Sequence, residues 1–192
     1  MRSRTSLIVG ALLLGACLPE ARLVEPRYFT PLEPVVATPG QTGPRETTGP
    51  LLRLRRVSAA AHLRDRIVWR RSEVEFGFRE LRRWTQPPAQ LVERWLAREL
   101  FERRGLRRAL AGPHPTLEVE VQAFDEVLGP AHAARVQLLA RLTDARGVSL
   151  HERTYDVERP LEGRDPGAIA RAMGEALAEA LRRIGDGVEQ VL

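Results

Sequence analysis

The sequence predicts an α+β fold, an antiparallel or mixed, curved β-sheet with two amphipathic helices packed on one face. Two patterns carry this reading. Three consecutive segments, Leu117–Ala123, Ala134–Leu142 and Val148–Val157, alternate apolar and polar residues and are joined by tight connections, the signature of an antiparallel meander. Two further segments, around Leu91–Leu100 and Ile169–Ile184, place apolar residues every three or four positions, the helical period. Strands, a helix, three strands and a helix, in that order, fit a helix layer on one sheet.

A first short strand is expected at Tyr28–Leu32. The stretch from Glu33 to Pro50 is rich in Pro, Gly and Thr and nearly free of large apolar residues, so a flexible loop is expected at 33–50. Leu51–Val57 follows as an imperfect strand. Ile67–Arg70 and Glu73–Phe78, separated by Arg71 and Ser72, suggest a hairpin in which Val74, Phe76 and Phe78 share one face. Pro87 and Pro88 precede good helix formers and suit a helix start, because proline lacks only an N–H that the first turn leaves unbonded. Leu91, Val92, Trp95, Leu96 and Leu100 make the apolar stripe of that helix, about seventeen residues long, which Gly105 ends. Gly112-Pro113-His114-Pro115 reads as a turn. In the strand after it, Leu117, Val119, Val121 and Ala123 alternate with Glu118, Glu120 and Gln122. Asp144 to Gly147 makes the last turn of the meander. Asp165 as cap and Pro166 as first residue open the final helix, with Ile169, Met173, Leu177, Leu181 and Ile184 facing the sheet; it ends at Gly185 or Gly187 or continues loosely through Val188 and Val191.

The N-terminus has its own chemistry. Arg2 and Arg4 precede an apolar run, Leu7 to Leu14, and Gly15 and Ala16 stand directly before Cys17. Residues 1–16 read as an export signal. The run is roughly half of the ~20 residues that span a bilayer as a helix, so it is no anchor. Leu14-Gly15-Ala16-Cys17 resembles the lipobox of bacterial lipoproteins, which implies cleavage before Cys17 and acylation of its thiol and new amine. Two or more acyl chains anchor a protein stably, where one holds only marginally. Position 18 is Leu rather than the Asp that retains lipoproteins at the inner membrane in Gram-negative sorting, which favours the periplasmic face of the outer membrane. Residues 17–26 then form the lipidated cysteine and a tether, with Leu18 to Pro26 reaching at most about 30 Å, and residues 27–192 one domain of ordinary size.

Composition narrows the functional classes. Cys17 is the only cysteine, so no intrachain disulfide is available and stability rests on packing. The net charge is +5 and every basic residue among the thirty is arginine, but acids are interspersed and no basic patch is interleaved with aromatics. Nucleic acid is therefore not an expected partner.

Taken in order, several features resemble one family. A lipobox and tether lead to Tyr28-Phe29-Thr30 and Leu32; Leu63-Arg64-Asp65-Arg66-Ile67-Val68 precedes Val74–Phe78; Trp84 and Pro87-Pro88 stand before a helix; Leu117–Val121 runs to Phe124; and a meander and alanine-rich helix close the chain. Together these resemble the ABC-type transport auxiliary lipoproteins, which include the paraquat-inducible C-type lipoprotein. The loop at 33–50 is longer and richer in proline than that pattern. The resemblance implies an accessory docking or structural component of an envelope lipid-transport system, with an ABC permease complex and an MCE-domain protein as partners, and no enzyme. An assembly or bracing lipoprotein of another outer-membrane machine, such as a lipopolysaccharide or secretion system, is the alternative; a lipid-anchored hydrolase is a third reading.

Few residues stand out as sites. Cys17 is the expected lipid attachment. His62, His114, His132 and His151 lack the close spacing of metal motifs, so neither metal nor cofactor is expected. Asp125 and Glu126 read as a solvated turn at a strand end. Trp95 belongs to the helix stripe, whereas Trp84, flanked by Arg82, Arg83 and Thr85, is a candidate partner contact. The face carrying Arg135, Gln137 and Arg141 reads as the solvated side of a sheet. Open sheet edges also allow subunits to join into a homo-oligomeric ring.

Overall fold

The computed structural model describes residues 24–34, 48–163, 165 and 167–192. The signal, Cys17, most of the tether, residues 35–47 of the expected loop and Pro166 lie outside the described residues. Among the described residues nine strands form one open sheet: β1 (Arg27–Phe29), β2 (Leu51–Leu54), β3 (Ser58–Ala59), β4 (Arg66–Arg70), β5 (Phe76–Trp84), β6 (Arg107–Arg108), β7 (Thr116–Val127), β8 (Ala133–Thr143) and β9 (Ser149–Pro160). Two α-helices complete the fold, α1 (Pro88–Ala97) and α2 (Ala168–Glu189). The α+β expectation holds.

The meander β7-β8-β9 is antiparallel throughout. The other side of β7 is shared by three short strands, which pair parallel with it in turn: β2 at Thr116 and Leu117, β3 at Glu120 and Val121, and β4 from Asp125 to Val127. The expected hairpin is present as β4 and β5, but β5 runs on to Trp84, where its last three residues pair parallel with β1. Gly77 in β5 is required by packing, because a Cβ there would lie 2.5 Å from the Trp69 ring.

A bulge decides which residues of β7 enter the core. Val121 opposes Leu138 and Ala123 opposes Gln137, so Gln122 is an extra residue. Simple alternation puts Ala123 with Leu117, Val119 and Val121 on the helix-covered face. Past the bulge Ala123 and Asp125 face the other way, and Phe124, opposite Val136, turns into the core.

The helices cover one face. α2 lies across β8 and β9, α1 lies on β7 and β3, and the two helices touch. α1 begins at Pro88 and continues as a π-helical turn, Arg98–Arg103, ahead of Gly105, which sits at φ 71°. Both the helix and its stop were expected; the π turn was not. It points Glu99 inward, where the carboxylate accepts hydrogen bonds from Arg104 Nε at 2.8 Å and Arg103 Nη1 at 3.3 Å. α2 starts at Ala168, later than expected, while Asp165 accepts from the Gly167 N–H at 2.8 Å. Of the two expected endings, a stop at Gly185 or Gly187 or a continuation through Val188 and Val191, the helix takes the second as far as Glu189; both glycines are buried and give room to the Arg104 guanidinium and the Tyr155 hydroxyl. The core between the layers holds Trp84, Phe124, Leu96, Leu100, Leu138, Leu142, Met173 and Leu177, all fully buried.

The ends of the expected loop are tied down. Glu33 receives hydrogen bonds from Arg98 at 2.5 Å and Arg103 at 2.7 Å, and the Gly49 N–H donates to the Gly105 carbonyl at 3.1 Å.

Candidate functional site

Opposite the helices, the sheet presents a bare face. At its β4-β5 end Val68 opposes Phe78 and Arg70 opposes Phe76, so both phenylalanines lie on this face. The rings form a short stack: Phe76 and Phe78 meet edge-on at 6.1 Å, and His62 lies 5.0 Å from Phe76. Guanidiniums cover them, Arg66 at 4.2 Å from the Phe78 ring centre and Arg70 at 5.4 Å from that of Phe76. At the hairpin tip Val74 is 92% exposed and Phe76 44% exposed.

Beneath it lies a charge that the sequence reading misplaced. Asp125 and Glu126 belong to no solvated turn; they stand inside β7, 0% and 2% exposed, because β7 extends beyond the apolar pattern that marked it. As successive strand residues they point to opposite faces. Asp125 faces the bare side and accepts from Arg70 Nε at 2.8 Å. Glu126 faces the helix side, where Arg79 Nε donates at 2.8 Å and His132 Nε2 lies 2.8 Å away. Across β8 and β9 the bare face is a lattice of exposed pairs. Asp156 takes Arg135 in a two-point contact at 3.0 and 2.5 Å and Gln137 at 2.9 Å, and Glu152 pairs with Arg141 at 3.1 Å. That part is the solvated sheet side the sequence indicated.

Glu126 has a pH consequence. Burial pushes its carboxyl up, but the hydrogen bonds from Arg79 and His132 outweigh burial and hold it below the ordinary value of 4.5. A carboxylate with a depressed folded pKa stabilises the fold fully above the unfolded value and loses that contribution as pH falls through the folded one. The difference in melting temperature between the native chain and Glu126→Gln should therefore be largest near neutrality and shrink from about pH 5 downward. Thermal melts across that range check it; a constant difference would contradict the assignment.

The remaining sequence candidates separate. Trp84 is corrected from surface to core. It is 2% exposed and packs edge-on against Phe124 at 5.4 Å, so it has no face to offer a partner. His114 sits in the turn beside Gly112, and His151 lies 2.9 Å from the Tyr155 hydroxyl. Among the described residues no group of three or more metal-ligating side chains converges, and no helix is long and apolar enough to cross a membrane.

Fold and surface together define an open-faced α+β domain, one face sealed by helices and the other left as a bare strand surface with aromatic rings at one end. The chain belongs to the family of the ABC-type transport auxiliary lipoprotein component, whose model matches residues 32–185. Membership in a lipoprotein family carries association with the cell envelope. Among solved structures, a Xanthomonas campestris protein of the DUF330 family is 23% identical, with a TM-score of 0.69, 84% of this chain and 94% of that one being covered. A hypothetical protein of Chlamydia trachomatis is 11% identical, with a TM-score of 0.55 over 75% of this chain and 98% of that one. These likenesses establish the shared fold. Among curated proteins none matches the sequence.

Proposed function

We propose that this chain is an outer-membrane-anchored accessory lipoprotein of an ABC/MCE-type envelope lipid transporter, acting as a docking or structural piece and not as a catalyst. The observation that carries the reading is membership in the transport auxiliary family, which spans nearly all of the described domain. Lipid on Cys17 holds the domain at the periplasmic face of the membrane, within reach of its short tether. The bare sheet face with Phe76 and Val74 supplies a surface a partner subunit can cover, since exposed aromatics flanked by arginine are favoured binding anchors. Among the described strands β9 pairs with β8 alone, and its outer edge is where a second copy would add to build a ring.

Affinity capture of the full, lipidated chain from solubilised membranes tests this. An ABC permease complex or an MCE-domain protein is expected to come with it, and native mass spectrometry of the captured complex should show several copies of the chain. Recovery of unrelated envelope proteins alone would overturn the transport role, and a strict single copy would remove the ring. Mass spectrometry of the mature N-terminus should find an acylated Cys17, and Cys17→Ser should release the chain from the outer-membrane fraction. A native chain that is soluble and has an unmodified thiol would remove the anchor.

A further inference from the structure

About half of the described arginines are paired with an acid. Arg55, Arg70, Arg79, Arg83, Arg98, Arg104 and others each meet a carboxylate within 4 Å. A groove between α1 and the β2-β6 edge gathers three that are not paired. It has a volume of about 510 Å³ and is lined by Arg56, Arg94 and Arg108, with Glu93, Leu54 and Ala97 between them. Among the described residues Arg56 and Arg94 donate no side-chain hydrogen bond and have no acidic partner. Arg108 only stacks over Phe101, at 4.6 Å. All three are exposed. The one carboxylate in the lining, Glu93, already accepts the Val57 N–H at 3.0 Å.

Three guanidiniums against one occupied carboxylate leave an excess of positive charge with unused donors in a concave site. Their mutual repulsion is a standing cost that an anion relieves. Guanidinium is a planar fork that matches phosphate oxygens in pairs and is more weakly hydrated than an ammonium, so phosphate suits this set better than a carboxylate does. Leu54, Ala97 and the arginine stems add an apolar wall, which a free inorganic ion does not use and the glycerol and first methylenes of an amphiphile do.

We propose that this groove binds the phosphate of an anionic phospholipid headgroup. The choice of a lipid over a free phosphate rests on the transport-accessory reading above, whereas the anion site itself rests on the groove.

Native mass spectrometry of the full lipidated chain in non-ionic detergent, titrated separately with phosphatidylglycerol, phosphatidylcholine and inorganic phosphate, tests it. A saturable phosphatidylglycerol adduct is expected, tighter than the phosphatidylcholine one. Arg94→Gln or Arg56→Gln should weaken it by about tenfold, the size of one charge-assisted hydrogen bond. Arg146→Gln in the β8-β9 turn, another exposed arginine without an acid partner, should change nothing. Equal weakening by Arg146→Gln would reduce the effect to net charge and overturn the site. Phosphate binding as tightly as phosphatidylglycerol would overturn the lipid headgroup. Absence of any adduct would overturn the whole proposal while leaving the capture of transporter subunits untouched, because the bare sheet face lies on the opposite side of the sheet.

Discussion

Replacing Arg70 by Met should cost this protein about 3 kcal/mol of stability or more, because the change leaves Asp125 charged, fully buried and short of its strongest partner. Methionine removes the guanidinium and with it the cation–π contact over Phe76 and the hydrogen bond to the Glu73 carbonyl, so the comparison with a double variant is what isolates the buried charge. For a domain of this size each kcal/mol moves the melting temperature by roughly 2–4 °C, which puts the expected drop near 6–12 °C. Arg135, on the strand position opposite Asp125, offsets part of the loss, which is why the lower end of the usual 3–5 kcal/mol for a broken buried pair applies. The double variant Arg70→Met with Asp125→Asn should recover much of the loss, because no uncompensated charge remains. If the single variant melts with the native chain, or the double variant melts lower than the single one, Asp125 is not held as the structure shows. The same pair fixes the strand end beneath Phe76 and Phe78, so the single variant should also weaken capture of any partner that uses the bare face.

That pair also shows where sequence reading stops. The meander and both helices were legible because their apolar residues repeat at the periods of strand and helix, and the alternation continues for several residues in each. β5 was cut short at Phe78 because its second half, Arg79-Glu80-Leu81-Arg82-Arg83, is dominated by charge. Two of those charges are satisfied by residues distant in sequence, Arg79 by Glu126 and Arg83 by Asp65, and no local pattern announces such a partner. β7 was cut short for a related reason. The bulge at Gln122 breaks the alternation just where Asp125 and Glu126 make the strand look like a turn. Trp84 was misjudged from its arginine neighbours, yet in an extended strand adjacent side chains point to the opposite face, so polar flanks carry no information about burial. The π turn at Arg98–Arg103 leaves the apolar stripe intact and has no composition of its own. Of the candidate site, the phenylalanines on one face of the hairpin were legible. The buried carboxylate beneath them was not, because its partner is 55 positions away.

Gly174→Ala should be destabilising even though alanine is the better helix former by about 1 kcal/mol. A Cβ at position 174 would lie 1.9 Å from the Leu32 carbonyl oxygen, 2.7 Å from its carbon and 2.9 Å from its nitrogen. All three are backbone atoms of one residue, so no side-chain rotation relieves the clash. Either α2 shifts on β8 and β9, which costs core packing, or the strand leaving β1 lifts off the helix. Lifting breaks the Leu32 N–H to Ala170 carbonyl hydrogen bond and loosens Glu33 from Arg98 and Arg103. Overpacking of this kind typically costs 1–3 kcal/mol, and the alanine propensity gain is the smaller effect. The expected result is a melting temperature lower by a few degrees, with hydrogen exchange accelerated at residues 28–34 well before the meander is affected. A variant as stable as the native chain, with unchanged exchange there, would mean that the crossing is not this close. The crossing bears on the proposed anchor, because residues 24–32 are the first described residues that follow Cys17. On the proposed anchoring, a lipid on Cys17 would pull on the domain through this segment, and the glycine is what lets the segment lie close against α2. Loosening it should leave the anchor intact while uncoupling the domain's position from the membrane, so Gly174→Ala is expected to stay in the membrane fraction yet capture less transporter than the native chain.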